Sequence, residues 1–276
     1  KTTIAKAILR ILPDPPSRVK AGEIYFEGKD ILKLSEGKMR KIRGNKIAMI
    51  FQDPMTALNP IETVGSQIAE AIGLHEKLSK AEVQKRAVDM LEMVGIPGER
   101  YGEYPHQFSG GMKQRVVIAM ALACRPELLL ADEPTTALDV TIQAQVLDMM
   151  ESLKEKLNTS MILITHDLGI VAGMCDRVAV VYAGEIVEQG TTEEVFDFPG
   201  HPYTLGLFQS LPRLDSTEKR LKPINGLMPD PTNLPEGCKF YDRCPYACEK
   251  CKEKEPEMRE YRPGHFVRCI RQGGEK

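Results

Sequence analysis

Two uninterrupted apolar runs constrain the fold of this chain more than any other feature of its sequence. One reads Leu-Leu-Leu-Ala from Leu128 to Ala131, and the other reads Met-Ile-Leu-Ile from Met161 to Ile164. Apolar runs without polar alternation are typical of parallel strands covered on both faces. A helical stretch from about 141 to 157 joins the two runs, and residues 46–51 form a similar run earlier in the chain. The pattern predicts an α/β core built on a parallel sheet.

The composition and periodicity of the sequence change three times along the chain. We interpret 1–55 as the first part of the core, 56–125 as a helical subdomain and 126–198 as the second part of the core. Residues 199–276 are rich in proline and cysteine, which predicts a small irregular C-terminal module, regulatory or metal-binding in character.

Charge and hydropathy exclude some classes of function. Lysine and arginine number 37 against 39 aspartates and glutamates, so no basic excess points to nucleic acid as a partner. The longest apolar run, from Val116 to Cys124, is shorter than the ~18 residues that a membrane-spanning helix needs. We therefore expect any link to a membrane to come through a partner protein.

Polar side chains follow each of the apolar runs. Gln52 comes after the first, Asp132 and Glu133 after the second, and His166 after the third. Ligands of open parallel sheets bind beyond the carboxyl ends of the strands. There an aspartate can hold Mg²⁺ and a glutamate can polarise a water for attack on a phosphate. The alternative is that the acidic pair caps a turn and that the histidine is structural.

Two segments have the composition of phosphate-binding helix starts. Lys1, Thr2 and Thr3 open an apolar helical pattern, and "FSGGMKQR" at 108–115 places a serine and two glycines before a second apolar helix. Bare backbone amides and the positive end of a helix dipole attract phosphate oxygens. For the second segment, an ordinary serine cap with two flexible glycines remains the alternative.

These pieces occur in a recognisable order. "KTT", "FQD", "SGGMKQR", "LLLADEPTTALD" and "THD" follow one another along the chain. The series resembles the ATPase subunit of an ABC transporter. This resemblance implies a RecA-like P-loop ATPase core that uses ATP and Mg²⁺.

The resemblance also implies a role for each residue at the strand ends. Thr2 would be the hydroxyl ligand of magnesium, Asp132 would hold the ion through water, and Glu133 would be the general base. His166 would contact the γ-phosphate. Gln52 would sense the metal and the attacking water and signal to the membrane partner.

In this family each ATP is shared by two subunits in a head-to-tail dimer. Lys1 would contact the β- and γ-phosphates, with Thr2 and Thr3 beside it. Ser109, Gly110 and Gly111 would close over the ATP of the opposite subunit, and Asp139 would lie at the subunit interface.

The sequence departs from the family pattern at two places. Met112 stands where a glutamine is usual, although the serine and glycines of the signature remain. In the family pattern, a glycine-rich turn that cradles the phosphates comes directly before the lysine. The sequence begins at Lys1 and does not include that turn. We expect this turn to be encoded upstream.

Two further stretches narrow the resemblance. "RGNKIAMIFQDPMTALNP" at 43–60 and "GHPYT" at 200–204 resemble the oligopeptide, dipeptide and nickel importers, and most closely the D-type ATPase of peptide importers. This implies an F-type ATPase partner in a heterodimer, two permease subunits and, indirectly, an extracytoplasmic binding protein. The subunit would lie peripherally on the cytoplasmic face of the membrane. The alternatives are a nickel-importer ATPase and a scaffold that does not bind nucleotide.

Five of the seven cysteines lie in the last 40 residues. Without a secretory signal, a metal site is a better interpretation of this cluster than a disulfide scaffold. The resemblance implies a 4Fe-4S cluster, and zinc would satisfy four thiolates equally well. Cys248 is expected to be a bystander, although Cys248-x2-Cys251 is itself a local chelate in which Cys248 could replace Cys244. The remaining alternative is five reduced thiols that bind no metal. The implied ligands are Cys238, Cys244, Cys251 and Cys269.

Overall fold

The computed structural model describes residues 1–136, 138–211 and 223–271. The chain divides into two compact units, Lys1–His166 and Asp167–Lys276. The boundaries set from the sequence at 56, 126 and 199 remain predictions. Short 3-10 helices cover Ile31–Lys33, Gly98–Gly102, Pro105–Gln107 and Tyr241–Arg243.

The first unit is built on a parallel sheet. The strands of this unit are β1 (Tyr25–Phe26), β2 (Lys29–Asp30), β3 (Ile47–Ile50), β4 (Leu128–Asp132) and β5 (Ser160–Ile164). Strands β3, β4 and β5 pair in parallel in that order, while β1 and β2 form a separate antiparallel pair. Ile50 lies opposite Ala131, and Asp132 lies opposite Ile164. The three apolar runs therefore end at one edge of the sheet, and the predicted parallel core is confirmed.

Helices pack against this sheet and extend from it. They are α1 (Thr2–Ile8), α2 (Glu36–Arg40), α3 (Pro54–Ala57), α4 (Val64–Gly73), α5 (Lys80–Met93), α6 (Gly110–Leu122) and α7 (Val140–Leu157). Ala5 of α1 and the adjoining Leu9 join Met49 of β3 and Leu130 of β4 in one buried cluster. This packing fixes the start of α1 beside the carboxyl ends of the strands.

The helices between β3 and β4 have clear sequence starts. Thr63 caps α4 through its side chain, and Ser79 caps α5 in a reciprocal capping box with Glu82. Ala87 and Leu91 lie on the buried face of α5, as its apolar spacing predicts.

The second unit contains an antiparallel sheet. Its strands are β6 (Arg177–Tyr182), β7 (Glu185–Thr191), β8 (Arg259–Arg262) and β9 (His265–Val267), and its helices are α8 (Leu168–Met174), α9 (Thr192–Asp197), α10 (Pro202–Gln209) and α11 (Lys250–Glu253). The strand order is β6-β7-β9-β8. The C-terminal segment, expected to be irregular, thus contributes two strands to this sheet.

A buried contact between a histidine and a glutamate joins the C-terminal strands to β7. Nε2 of His265 lies 2.8 Å from Oε1 of Glu188, and both side chains are fully buried. The same carboxylate accepts hydrogen bonds from the backbone N–H groups of Gly200 and His201, at 2.7 and 3.0 Å. One glutamate therefore holds β9 and the start of α10 to β7.

Candidate active site

Glu133 is the centre of a hydrogen-bonded cluster at the carboxyl edge of the parallel sheet. Nε2 of Gln52 donates to Oε2 of Glu133 at 2.9 Å, and the hydroxyl of Thr136 donates to the same oxygen at 3.0 Å. Nδ1 of His166 lies 3.1 Å from Oε1. The structure therefore brings together residues that follow three different strands, because those strands end in register.

The backbone of Glu133 has an uncommon conformation. Its φ angle is 48°, in the left-handed region, and its N–H donates to the carbonyl of Ile164 at 2.8 Å. A non-glycine residue in this region costs free energy and persists only where surrounding contacts hold it. Here the hydrogen bond to the end of β5 helps to fix the turn that presents the carboxylate.

The neighbours of Glu133 also set its charge. Partial burial alone would raise the pKa of this carboxyl, but the hydrogen bonds from His166, Thr136 and Gln52 outweigh burial and hold the pKa below its usual range. Glu133 is therefore ionised at neutral pH. An ionised carboxylate can accept a proton from a water molecule, as general base catalysis requires.

A second pair lies at the same edge of the sheet. The hydroxyl of Thr2, in the first turn of α1, donates to Oδ1 of buried Asp132 at 3.1 Å. Nζ of Lys1 donates to the carbonyl of Thr165 at 2.8 Å, whereas Thr3 is exposed. Magnesium prefers hard oxygen ligands such as carboxylates, hydroxyls and water. The donor set of Thr2 and Asp132 fits that ion.

The serine and glycines of the "SGGM" segment lie at the start of α6. Ser109 is the N-cap of this helix, and its hydroxyl accepts the backbone N–H of Met112 at 3.3 Å. The capping alternative is therefore seen in the structure. Because N-terminal amides of a helix attract anions, the cap and a phosphate contact are compatible functions of one helix start.

The start of α6 lies close to the first turn of α7 and to the segment before it. A Cβ atom on Gly111 would lie 2.5 Å from Cγ2 of Ile142, so only glycine fits there without movement. A Cβ atom on Gly110 would first meet Leu138, at 3.9 Å. Asp139 is the exposed N-cap of α7. Ser109, Gly110 and Gly111 thus lie at the start of α6, and Asp139 lies at the start of α7.

Sequence reasoning missed two residues that hold this site together. Thr136 donates to the Glu133 carboxylate, and buried Gln114 of α6 donates through Nε2 to the carbonyl of Pro134. Both stand inside motifs quoted from the sequence. A glutamine between apolar residues of a buried helix was the available signal for Gln114, because a buried amide needs a partner.

Comparison with known protein families identifies the family to which this chain belongs. Residues 1–136 match the family described as ABC transporter, and residues 187–251 match the family described as Oligopeptide/dipeptide transporter, C-terminal region. The Oligopeptide transport ATP-binding protein OppD of Bacillus subtilis (strain 168) is 55% identical over 97% of this chain and 76% of its own length. The chain belongs to the ATP-binding subunits of ABC transporters.

Other relatives support the same family assignment for this ABC ATPase. The Dipeptide transport ATP-binding protein DppD of Bacillus subtilis (strain 168) is 52% identical over 98% of this chain and 81% of its own length. Among solved structures, cbiO1 from Clostridium perfringens, part of the ABC transporter complex cbiONQ, is 30% identical with a TM-score of 0.61 over 71% of this chain and 74% of its own. An ATP-binding cassette solved as a dimer in a post-hydrolysis state with ADP and Pi has a TM-score of 0.60 and 27% identity, covering 69% and 80% of the two chains.

The C-terminal cysteines of this ABC ATPase do not form the expected metal centre. Among residues 1–136, 138–211 and 223–271, no group of three or more histidine, cysteine, aspartate or glutamate side chains could hold a metal ion. The prediction of a 4Fe-4S cluster, with zinc as its alternative, is therefore wrong. The four expected ligands are free thiols that line one small cavity: Cys238, Cys244, Cys251 and Cys269.

The physical reason is the environment of these thiols. Burial raises the pKa of Cys238 to about 11, and burial likewise raises the pKa values of Cys244, Cys251 and Cys269. A raised pKa makes the thiolate, which is the form that binds metals, costlier to form than it is in an exposed cysteine. Sγ of Cys251 instead lies 3.6 Å from Sγ of Cys248, the cysteine expected to be a bystander.

In the described part of this ABC ATPase, no helix has the length and apolar character that crossing a membrane requires.

Proposed function

We propose that this ABC ATPase hydrolyses ATP to power the import of di- or oligopeptides. The observation that carries the proposal is that the side chains of Gln52 and His166 both contact the carboxylate of Glu133, at 2.9 and 3.1 Å. Thr2 and Asp132 lie at the same edge of the sheet. The peptide assignment is supported by the names of OppD and DppD and by the match of residues 187–251 to the peptide-transporter family.

The start of α1 would bind the phosphates of ATP. Lys1 would place its ammonium group on the β- and γ-phosphates, and the threonines of the first turn would contribute hydroxyls. Magnesium, when bound, neutralises phosphate charge as ATP is hydrolysed. Thr2 and Asp132 would hold the ion, since their oxygens already lie 3.1 Å apart.

Glu133 would act as the general base. Its ionised carboxylate would accept a proton from the water that attacks the γ-phosphorus, while His166 would donate to a γ-phosphate oxygen. Gln52 bonds directly to the base and lies just before the helices that separate β3 from β4. It would therefore report the state of the base to the helical region, and so to the permeases.

A second subunit would complete each ATP site. The starts of α6 and α7 would contribute to the ATP site of the partner subunit, because the N-terminal amides of a helix attract phosphate oxygens. The relevant residues are Ser109, Gly110, Gly111 and Asp139. The partner would be an F-type ATPase, and the pair would dock peripherally on two permease subunits at the cytoplasmic face, served by an extracytoplasmic binding protein.

The catalytic part of the proposal is tested with Glu133→Gln in the full-length protein. Loss of the base should reduce turnover by roughly 100-fold or more and leave ATP bound, which stabilises the dimer in size-exclusion chromatography. Glu127→Gln is the matched control, because Glu127 flanks the other end of β4 and pairs with Lys46 at 2.9 Å. Unchanged turnover in Glu133→Gln would overturn the role of the base.

The transport part needs a separate assay. In cells that lack this subunit, uptake of labelled di- and tripeptides should return with the wild-type gene and not with the Glu133→Gln gene. Uptake of nickel ions is measured in parallel. Restored nickel uptake without peptide uptake would overturn the peptide assignment while leaving the ATPase assignment intact.

A further inference from the structure

Arg100 makes an unusual set of contacts around the signature segment of α6. Its Nη2 donates to the carbonyl of Gln107 at 3.2 Å, and its Nη1 donates to Sδ of Met112 at 3.5 Å. The guanidinium carbon lies 4.2 Å from the centre of the Phe108 ring. One side chain therefore touches the segment on both sides of Ser109.

Glu103 fixes the guanidinium in this position. Nε and Nη2 of Arg100 both donate to Oε2 of Glu103, at 2.8 and 2.6 Å. The side chain of Arg100 is 24% exposed and that of Glu103 is 33% exposed. Partly shielded, charge-assisted hydrogen bonds of this kind hold their geometry better than a solvated ion pair does.

The contacts of Arg100 suit a planar cation. Phe108 is buried, with 5% of its surface exposed, and the guanidinium covers its ring face. The thioether of Met112 is a weak acceptor for one remaining N–H group. A methionine here, in place of the usual glutamine, thus still has a partner, and that partner comes from outside the segment.

We propose that Arg100 is a positioning residue for the signature segment. By holding Phe108 and Met112, it fixes the intervening Ser109 and the first amides of α6 in one orientation toward the ATP of the partner subunit. This inference rests on the proposed function, because it assumes that the start of α6 acts on a shared ATP. Arg100 would act through the signature segment and not by contact with ATP.

The matched control is a second arginine of the helical region. Arg86 forms an ion pair with Glu76 and donates to the carbonyl of Ala123 at 3.1 Å. Its side chain is 23% exposed, close to the 24% of Arg100. It lies at the far end of α6, away from Ser109, so it has the same chemistry and burial without contact to the signature.

The test compares Arg100→Lys and Arg86→Lys in the full-length protein assembled with its partner ATPase. Lysine keeps the charge but loses the forked donors and the flat face that stacks on Phe108. Three quantities are measured: the ATP dependence of turnover, the affinity of the isolated subunit for trinitrophenyl-ATP, and the midpoint of thermal unfolding. Glu103→Gln serves as a milder variant that loosens the guanidinium.

Arg100→Lys should raise the ATP concentration for half-maximal turnover, or lower kcat, by roughly tenfold. Binding of trinitrophenyl-ATP to the isolated subunit should stay within about twofold of wild type, since that site lies at α1. Arg86→Lys should change turnover less than Arg100→Lys at an equal shift in thermal midpoint. Glu103→Gln should change the same kinetic constants as Arg100→Lys, to a smaller extent.

Equal kinetic effects of Arg100→Lys and Arg86→Lys would overturn the inference, because both arginines would then be merely structural. So would weaker trinitrophenyl-ATP binding to the isolated Arg100→Lys subunit. If the assembled wild-type protein does not hydrolyse ATP, the proposed function fails together with this inference. If wild type is active and Arg100→Lys is unchanged, only the inference fails.

Discussion

The side-chain amide of Gln52 donates a hydrogen bond to the carboxylate of Glu133 at 2.9 Å, although the two residues are 81 positions apart. Gln52 follows β3, and Glu133 follows the neighbouring strand β4. The bond therefore links the segment that leads into the helical region with the carboxylate at the centre of the cluster. A charged side chain introduced at position 52 should therefore change the pKa of Glu133.

Replacing Gln52 with glutamate should make the activity depend more steeply on pH. Two facing carboxylates disfavour each other's ionisation, so the pKa of the pair should rise. Glu133 would then be ionised only at higher pH, and the acid limb of kcat/KM should move upward. A pH–rate profile measures this shift. Gln84→Glu, which adds the same charge to an exposed position of α5, should leave the profile in place; an unshifted Gln52→Glu profile would contradict the prediction.

Thr136→Val removes one donor from the Glu133 carboxylate while keeping the shape of the side chain. The hydroxyl of Thr136 helps to hold the pKa of Glu133 below its usual range, so its loss should raise that pKa. Hydrogen bonds to charged groups are among the stronger ones in proteins, so the acid limb of kcat/KM should move to higher pH. Thr141→Val, in the first turn of α7, is the control, and equal profiles for the two variants would argue against the role of Thr136.

Gly111→Ala should destabilise the first unit. The new methyl group would lie 2.5 Å from Cγ2 of Ile142, and overpacking of this kind costs about 1–3 kcal/mol. Adding Ile142→Ala should recover part of that loss, and a double-mutant cycle in urea unfolding measures the coupling. Gly110→Ala, whose nearest contact would be at 3.9 Å, should not be destabilising. A free energy of unfolding unchanged by Gly111→Ala would show that the helices move apart easily.

The second unit should lose stability as the pH falls below 6.5. Burial lowers the pKa of His201 from 6.5 to about 4, and its Nδ1 accepts the N–H of Tyr203 at 3.0 Å. Between those pH values the unfolded chain binds a proton that the folded chain does not. The free energy of unfolding should therefore fall as pH drops through this window, by up to about 3 kcal/mol.

A non-titrating variant isolates the contribution of His201. Asparagine at position 201 can still cap α10, because its side-chain oxygen can accept the same N–H group. Urea unfolding at pH 7.0, 5.5 and 4.5, followed by a probe in the second unit, should show a smaller loss for His201→Asn than for wild type. Equal losses would assign the acid sensitivity to other groups.

The regular parts of the fold could be predicted from local patterns. The apolar runs became β3, β4 and β5, and the helix expected from 141 to 157 is α7, Val140–Leu157. Each of these elements carries its own periodicity, so a window of sequence is enough to identify it. Strands β8 and β9 were not foreseen, because they are short and the residues of β8, Arg-Glu-Tyr-Arg, are mostly polar. Their pairing with β7 depends on contacts such as Glu188 with His265.

The cysteine spacing shows the limit of motif reasoning. Spacing identified four thiols that do line one cavity, but it carried no information about burial or about the arrangement of the sulfur atoms. Burial raises their pKa values, and the described residues form no metal-binding group. A ligand set is defined by geometry and protonation, and neither can be read from intervals between residues.

The sequence by itself determined the parallel core and placed Gln52, Glu133 and His166 at strand ends, because apolar runs and the residues that follow them are local properties. Only the tertiary structure decided which side chains meet there. It added Thr136 to Glu133, joined Gln114 to the turn after β4, and brought the guanidinium of Arg100 onto the signature segment. Hydrogen bonds and stacking depend on ångström-scale positions set by packing across distant segments, and those positions exist only in the folded chain.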